Sequence, residues 1–177
     1  MTNYVYIATS LDGFIASSDG GLDWLTEIPN PEQSDYGFAE FMRTIDALVM
    51  GRKTFETVLT FGDWLYNVPV FVLSKTLDRL PETVAEKAEI VNGDLRAVVD
   101  RLHARGYRNL YVDGGRVIQG FLEEDLIDEM IITRVPILLG DGIPLFGGLS
   151  KRLKFKLKKT EELNETLVKS YYTRAGE

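Results

Sequence analysis

Cysteine is absent from this 177-residue chain, and histidine occurs once, at His103. Without thiols there is no disulfide, no thiolate nucleophile and no cysteine-based metal site. One histidine cannot build a usual histidine-based zinc site. His103 falls in Leu95 to Arg105, a segment with the pattern of an amphipathic helix, and no nucleophile elbow accompanies it. Hydrolase chemistry of the Ser-His-Asp kind is therefore disfavoured. Positive charge is also scarce: 20 Lys and Arg stand against 27 Asp and Glu, a net charge of -7. That balance opposes nucleic-acid binding, which needs a basic face. No apolar run approaches the roughly 18 residues of a membrane span, and no basic signal-peptide region opens the chain. A cytoplasmic protein is expected, with no membrane and no nucleic-acid partner.

What is present is organised around Asp46 to Glu56. The apolar run Ala47-Leu48-Val49-Met50 has strand character, Gly51 breaks it, and Arg52-Lys53-Thr54 opens a helical pattern. A strand ending in glycine at a helix start points free backbone N–H groups, and the helix dipole, at one place. Arg52 and Lys53 add positive charge and Thr54 a hydroxyl, so the natural guest is a phosphate. A second junction of this kind, Asn109 to Val117, holds the adjacent Gly114 and Gly115. Two such junctions in one α/β chain point to a single ligand with two phosphate-bearing parts, a dinucleotide. Ser74-Lys75-Thr76 follows the strand Val68–Leu73, where a ribose or phosphate would lie outside a carboxyl end.

The remaining elements frame this centre. Tyr4 to Thr9 is a β-branched and aromatic strand, and Phe14-Ile15-Ala16 a short apolar return. The glycine-rich loop Ser17 to Gly21 leads to Trp24, read either as a pocket wall or as a residue tucking the loop onto the core. Ser34 is the expected N-cap of a helix running to about Thr44, with Phe38, Phe41, Met42 and Ile45 on its apolar face. Asp35 begins that face, either compensating the helix dipole or aimed into a pocket. Late in the chain, Leu153 to Lys158 and Thr166 to Thr173 alternate with period two and form a hairpin. The whole reads as one domain: a mixed sheet, parallel in the middle and antiparallel at one edge, with helices on both faces.

Five stretches in order and spacing carry a resemblance: Thr9 to Ala16, Met50 to Glu56, Val72 to Lys75, Asp113 to Val117, and Thr133 with Leu139 to Gly142. Together they resemble the dihydrofolate reductase superfamily, and more closely its branch similar to the reductase domain of the riboflavin-biosynthesis deaminase/reductase. The resemblance implies a three-layer α/β/α fold and an NADPH-dependent oxidoreductase acting on a pterin-like or ribosylamino-pyrimidine-like substrate. It implies that Gly51, Arg52, Lys53 and Thr54 bind cofactor phosphates, with Arg52 near the adenosine 2′-phosphate. Leu73, Ser74 and Lys75 would flank the adenosine half, and Gly114, Gly115, Arg116 and Val117 the pyrophosphate. Ala8 and Ile15 would meet the nicotinamide under a mobile loop, Asp12 to Trp24, with Trp24 and Phe38 toward the substrate. Asp35 takes the place of the pterin-anchoring acid, with Thr133 as its partner. Asp113 replaces the first of three glycines, as in the riboflavin-like branch.

On this reading Asp35 is the first candidate to relay a proton, its pKa raised beside Phe38, and Asp12 the second. A protein that senses NADPH without turnover is the alternative; it would keep Arg52 and Gly114 but tolerate loss of Asp35. The edge strand, Leu153 to Lys158, is a candidate homodimer contact.

Overall fold

The computed structural model describes residues 1–176. In chain order the elements are β1 (Thr2–Thr9), β2 (Phe14–Ala16), α1 (Asp23–Thr26), α2 (Phe38–Met42), β3 (Ala47–Gly51), α3 (Arg52–Leu59), β4 (Val70–Leu73), β5 (Ala88–Val91), α4 (Leu95–Ala104), β6 (Asn109–Asp113), α5 (Gly115–Glu123), β7 (Glu129–Arg134), β8 (Ile143–Pro144), β9 (Phe155–Leu163) and β10 (Leu167–Arg174). The main sheet has the order β5-β4-β3-β6-β1-β7-β10-β9. Its first six strands are parallel, and β10 and β9 add antiparallel to one edge.

Alternation along the strands divides the core between two faces. On one, Val5, Val49, Phe71, Val112 and Ile132 pack with Val98 and Leu102 of α4 and Ile118 and Phe121 of α5. On the other, Leu48, Met50, Val72, Tyr111 and Ile131 pack with Phe41 of α2 and Phe55 and Val58 of α3. The central strands are buried on both faces, which explains why Ala47–Met50 reads as an unbroken apolar run. The three-layer arrangement expected from the sequence is the one observed.

Two elements differ from expectation. The helix predicted from Ser34 contracts to Phe38–Met42. Tyr36 and Gly37 take left-handed backbone, φ 53° and 84°, and the Asp35 carboxylate accepts the N–H groups of Gly37 and Ala39, each at 2.8 Å. The short acidic side chain outcompetes the first helical turn for those donors. The C-terminal hairpin, by contrast, is longer: β9 extends to Leu163, and Asn164 and Glu165 turn the chain with φ near 51° and 54°.

The register also opens a gap. β1 pairs with β6 only from Thr2↔Asn109 to Tyr4↔Tyr111, yet continues along β7 to Thr9↔Arg134. Beyond Tyr4 the two central strands part, and the Tyr111 hydroxyl donates across the gap to the Tyr6 carbonyl at 2.9 Å. The parting lies at the carboxyl ends of parallel strands, the place where an open α/β sheet forms its ligand crevice.

Candidate active site

The two strand–glycine–helix junctions meet at this crevice. Gly114 has φ 91°, and a β-carbon there would lie 2.3 Å from Thr54 Oγ1 of the other junction. A β-carbon on Gly51 would come within 3.1 Å of Val117 Cγ2, and one on Gly115 within 2.8 Å of Ile15 Cδ1. At Gly114 both the overlap and the positive φ call for glycine, while at Gly51 and Gly115 a β-carbon would press on the side-chain ends of Val117 and Ile15. Thus Ile15, Gly51, Thr54, Gly114, Gly115 and Val117, separate in sequence, converge at the starts of α3 and α5. Both helix N-termini therefore direct unpaired donors to the same mouth.

Cationic side chains surround it. Arg52 and Lys53 open α3, Lys75 follows β4, Arg116 opens α5, and all four are exposed. Arg52 is already oriented: its Nε donates to Glu56 Oε1 at 2.6 Å and its Nη1 to Thr76 Oγ1 at 3.1 Å. Leu73 lies opposite Gly51 in the β3–β4 ladder, which sets the Ser74–Thr76 turn beside Arg52. Ser74 Oγ accepts the N–H groups of Thr76 and Leu77, so this hydroxyl shapes its own turn.

The raised pKa expected of Asp35 is corrected. Asp35 is exposed, and the N–H groups of Ala39 and Gly37 hold its pKa below the usual carboxylate value rather than raising it. Asp12 is also exposed and depressed, accepting from the Ser10 hydroxyl at 2.6 Å and from the N–H groups of Gly140 and Leu139. Both carboxylates are committed to shaping backbone. Asp113 has the opposite character. It ends β6 at the parting of the strands, and burial pushes its carboxyl up to about 6 against the pull of one hydrogen bond from the Gly114 N–H. The signal available in sequence was an acid directly before two glycines at a strand end, noted there only as a family mark.

The wall facing the crevice is aromatic. Tyr6 stacks on Phe41 with centroids 4.7 Å apart, and Phe38 meets Tyr6 and Tyr111 edge-on. Across the same face Ala8 pairs with Thr133. Trp24 does not form an open wall: it is 4% exposed and packs with Val135 and Leu167, tucking the loop onto the core. The segment expected to be a mobile loop is tied down. Phe14 and Ala16 pair with Pro144 and Ile143, Ser18 Oγ donates to Asp141 Oδ2 at 2.9 Å, and the Leu145 N–H donates to the Gly13 carbonyl. Among the described residues no cluster of three or more His, Cys, Asp or Glu could hold a metal ion, and no helix is long and apolar enough to cross a membrane.

Comparison with known proteins places this architecture. A crystal structure of a protein provisionally assigned to riboflavin biosynthesis, from Shewanella sp. PV-4, superposes with TM-score 0.97 at 50% identity, covering 99% of this chain and 100% of the other. The uncharacterized protein YwjB of Bacillus subtilis is 37% identical over 174 residues, 97% of each chain. The fold, at 17% identity and TM-score 0.75, is also that of a Thermotoga maritima diaminohydroxyphosphoribosylaminopyrimidine deaminase/5-amino-6-(5-phosphoribosylamino)uracil reductase; 98% of this chain covers 56% of that one. Dihydrofolate reductase shares the architecture. With residues 4–169 matching its pattern, the chain belongs to the RibD C-terminal domain family.

Proposed function

We propose that the protein is an NADPH-dependent reductase of a ribosylamino-pyrimidine-type heterocycle. The observation that carries this reading is the contact between the two junctions, Gly114 against Thr54, beside the half-buried Asp113 at the end of β6. The residues present suit a dinucleotide: glycines admit its backbone at the mouth, two helix N-termini supply N–H donors, and Arg52, Lys53, Lys75 and Arg116 supply charge. Arg52, oriented by Glu56 and Thr76, can present the remaining edge of its guanidinium to a phosphate. When bound, the cofactor supplies hydride to an electrophilic C=N or C=O carbon.

The chain's own work is positioning and proton management. Gly114 and Gly115 allow close approach at the pyrophosphate, while Ala8 and Ile15 form apolar surface where a nicotinamide would rest. Phe38 and Tyr6, both half-buried, offer ring surface to a planar heterocycle, and the buried Tyr111 behind them excludes water. Asp113, its carboxyl raised to about 6, keeps a proton into mildly acidic pH, next to the point where a substrate heteroatom would gain one. Asp35 and Asp12 shape the loops on either side.

The test is a fluorescence titration with NADPH and NADH, read from the tryptophans, followed by turnover of 5-amino-6-(5-phosphoribosylamino)uracil. Tight NADPH-selective binding with pyrimidine-dependent NADPH oxidation is expected. Binding without turnover of any pyrimidine or pterin would favour a sensor, and no binding would overturn the reading.

A further inference from the structure

Lys169 is a buried charge that the proposed chemistry does not use. It lies on β10, 3% exposed, opposite Thr133 on one side and Glu161 on the other. Its ammonium donates to the Tyr36 carbonyl and sits over the rings of Tyr6 and Tyr171, 5.4 Å and 5.8 Å from their centroids. The Tyr6 hydroxyl donates to the same carbonyl at 2.8 Å, and Asn164 Nδ2 donates to the Tyr36 hydroxyl at 3.1 Å. One residue, Tyr36, is thus gripped at both ends by β1, β10 and the hairpin turn.

Tyr36 is also in left-handed backbone, φ 53°, immediately before Gly37 and α2. A tyrosine leaves that region readily unless its surroundings hold it. A buried lysine is a poor source of net stability, since an apolar side chain of similar size often serves as well or better. What the ammonium supplies instead is a fixed direction for the Tyr36 carbonyl, and with it the seat of α2. Phe38, two residues on, bears on Tyr6 and Tyr111, the residues that span the parting of β1 and β6.

We propose that Lys169 is a positioning residue for the substrate side of the crevice, fixing Phe38 through the Tyr36 carbonyl. The proposal rests on the reductase reading for its kinetic consequence, but not for its structural one. The alternative role, a plain core residue, would affect global stability and leave α2 seated.

The experiment compares Lys169→Met and Tyr6→Phe, singly and together, in the full chain. Amide hydrogen exchange across residues 37–42 reports the seat of α2; KM and kcat are measured with 5-amino-6-(5-phosphoribosylamino)uracil, and NADPH affinity by titration. Lys169→Met should speed exchange across 37–42 by tenfold or more and raise KM at least tenfold, with kcat changed less than threefold. NADPH affinity should stay within twofold, because the hydrogen bonds of this network join β1, β10 and the hairpin turn to Tyr36, whereas the proposed phosphate contacts lie on α3, α5 and the turn after β4. Tyr6→Phe should act in the same direction more weakly, and the pair should be non-additive, because both donors serve one carbonyl. Unchanged exchange in Lys169→Met refutes the anchor, and faster exchange with an unchanged KM refutes its role in positioning substrate. If the wild-type protein reduces no pyrimidine, the reductase reading fails, and the exchange rates alone decide the anchor. Should Lys169→Met not fold, the Tyr6→Phe exchange rates decide it.

Discussion

Replacing Gly114 by alanine tests the convergence of the two junctions. Two separable penalties are expected. With φ 91° and ψ 130°, the backbone lies where side chains are rarely tolerated, a cost of about 1–3 kcal/mol. The new β-carbon would also stand 2.3 Å from Thr54 Oγ1, and relieving that overlap costs about 1–3 kcal/mol more. A total of roughly 4 kcal/mol corresponds to a fall in Tm of about 8–16 °C for a chain of this length. The second penalty depends on the Thr54 hydroxyl, so Gly114→Ala combined with Thr54→Ala should recover much of it and leave the backbone part. Urea denaturation of the wild type, both single variants and the double variant measures the coupling, provided the slope with denaturant is unchanged. Either of two results refutes the reasoning: a Gly114→Ala protein within about 0.5 kcal/mol of wild type, or a double variant no more stable than expected from additivity.

Asp113→Asn should have two effects. A carboxyl at about 6 in the folded state, above its unfolded value, contributes stability at low pH that is lost as pH rises through about 6. The amide variant should therefore be more stable than wild type by about 1–3 kcal/mol at pH 7.5, an advantage absent below pH 4. Its turnover should fall by about 10²–10⁴-fold and lose the decline with rising pH through about 6 expected of the wild type. Asp125 has the reverse sign: hydrogen bonds from Arg174 draw its carboxyl down to about 2, so its contribution is present at neutral pH and lost only in strong acid. Asp125→Asn should cost about 1–2 kcal/mol at pH 7 by chemical denaturation, the difference shrinking as pH falls through about 2. A β-carbon on Gly142 would lie 2.4 Å from the Ala16 carbonyl oxygen, so Gly142→Ala should loosen the β2–β8 pairing. Limited proteolysis within Ser17–Gly21 should then accelerate; an unchanged rate would refute that prediction.

The parts of the site legible in sequence are those that local physics decides. A short apolar run ended by glycine and followed by cations is both a buried strand and a helix N-terminus, so Gly51 to Thr54 stood out directly. Gly114 and Gly115 did so for the same reason. Asp35 did not yield to this approach, because helical spacing alone ignores the short acidic side chain that captures two backbone donors and delays the helix to Phe38. Asp113 was hidden for a different reason. Its perturbed carboxyl comes from burial where β1 and β6 part, with Tyr66 and Tyr111 close enough to feel its charge. Strand divergence is a property of register between segments about a hundred residues apart, and no local pattern reports it. Trp24 was open in sequence between two roles, and only the packing of Val135 and Leu167 resolves it.

The ties between the segment after β1 and residues 137–145 bear on time as well as shape. Asp12 accepts from two backbone donors there, Leu11 donates to Ile137, Ser18 to Asp141, and Leu145 to Gly13, alongside the short β2–β8 ribbon. A loop held by one contact flutters on the nanosecond scale; one held by several must release them together. Opening at this side of the crevice would then be a discrete, cooperative event on the microsecond-to-millisecond scale. Relaxation dispersion should find a single exchange rate shared by residues 11–18 and 137–145, two stretches far apart in the chain that keep one clock.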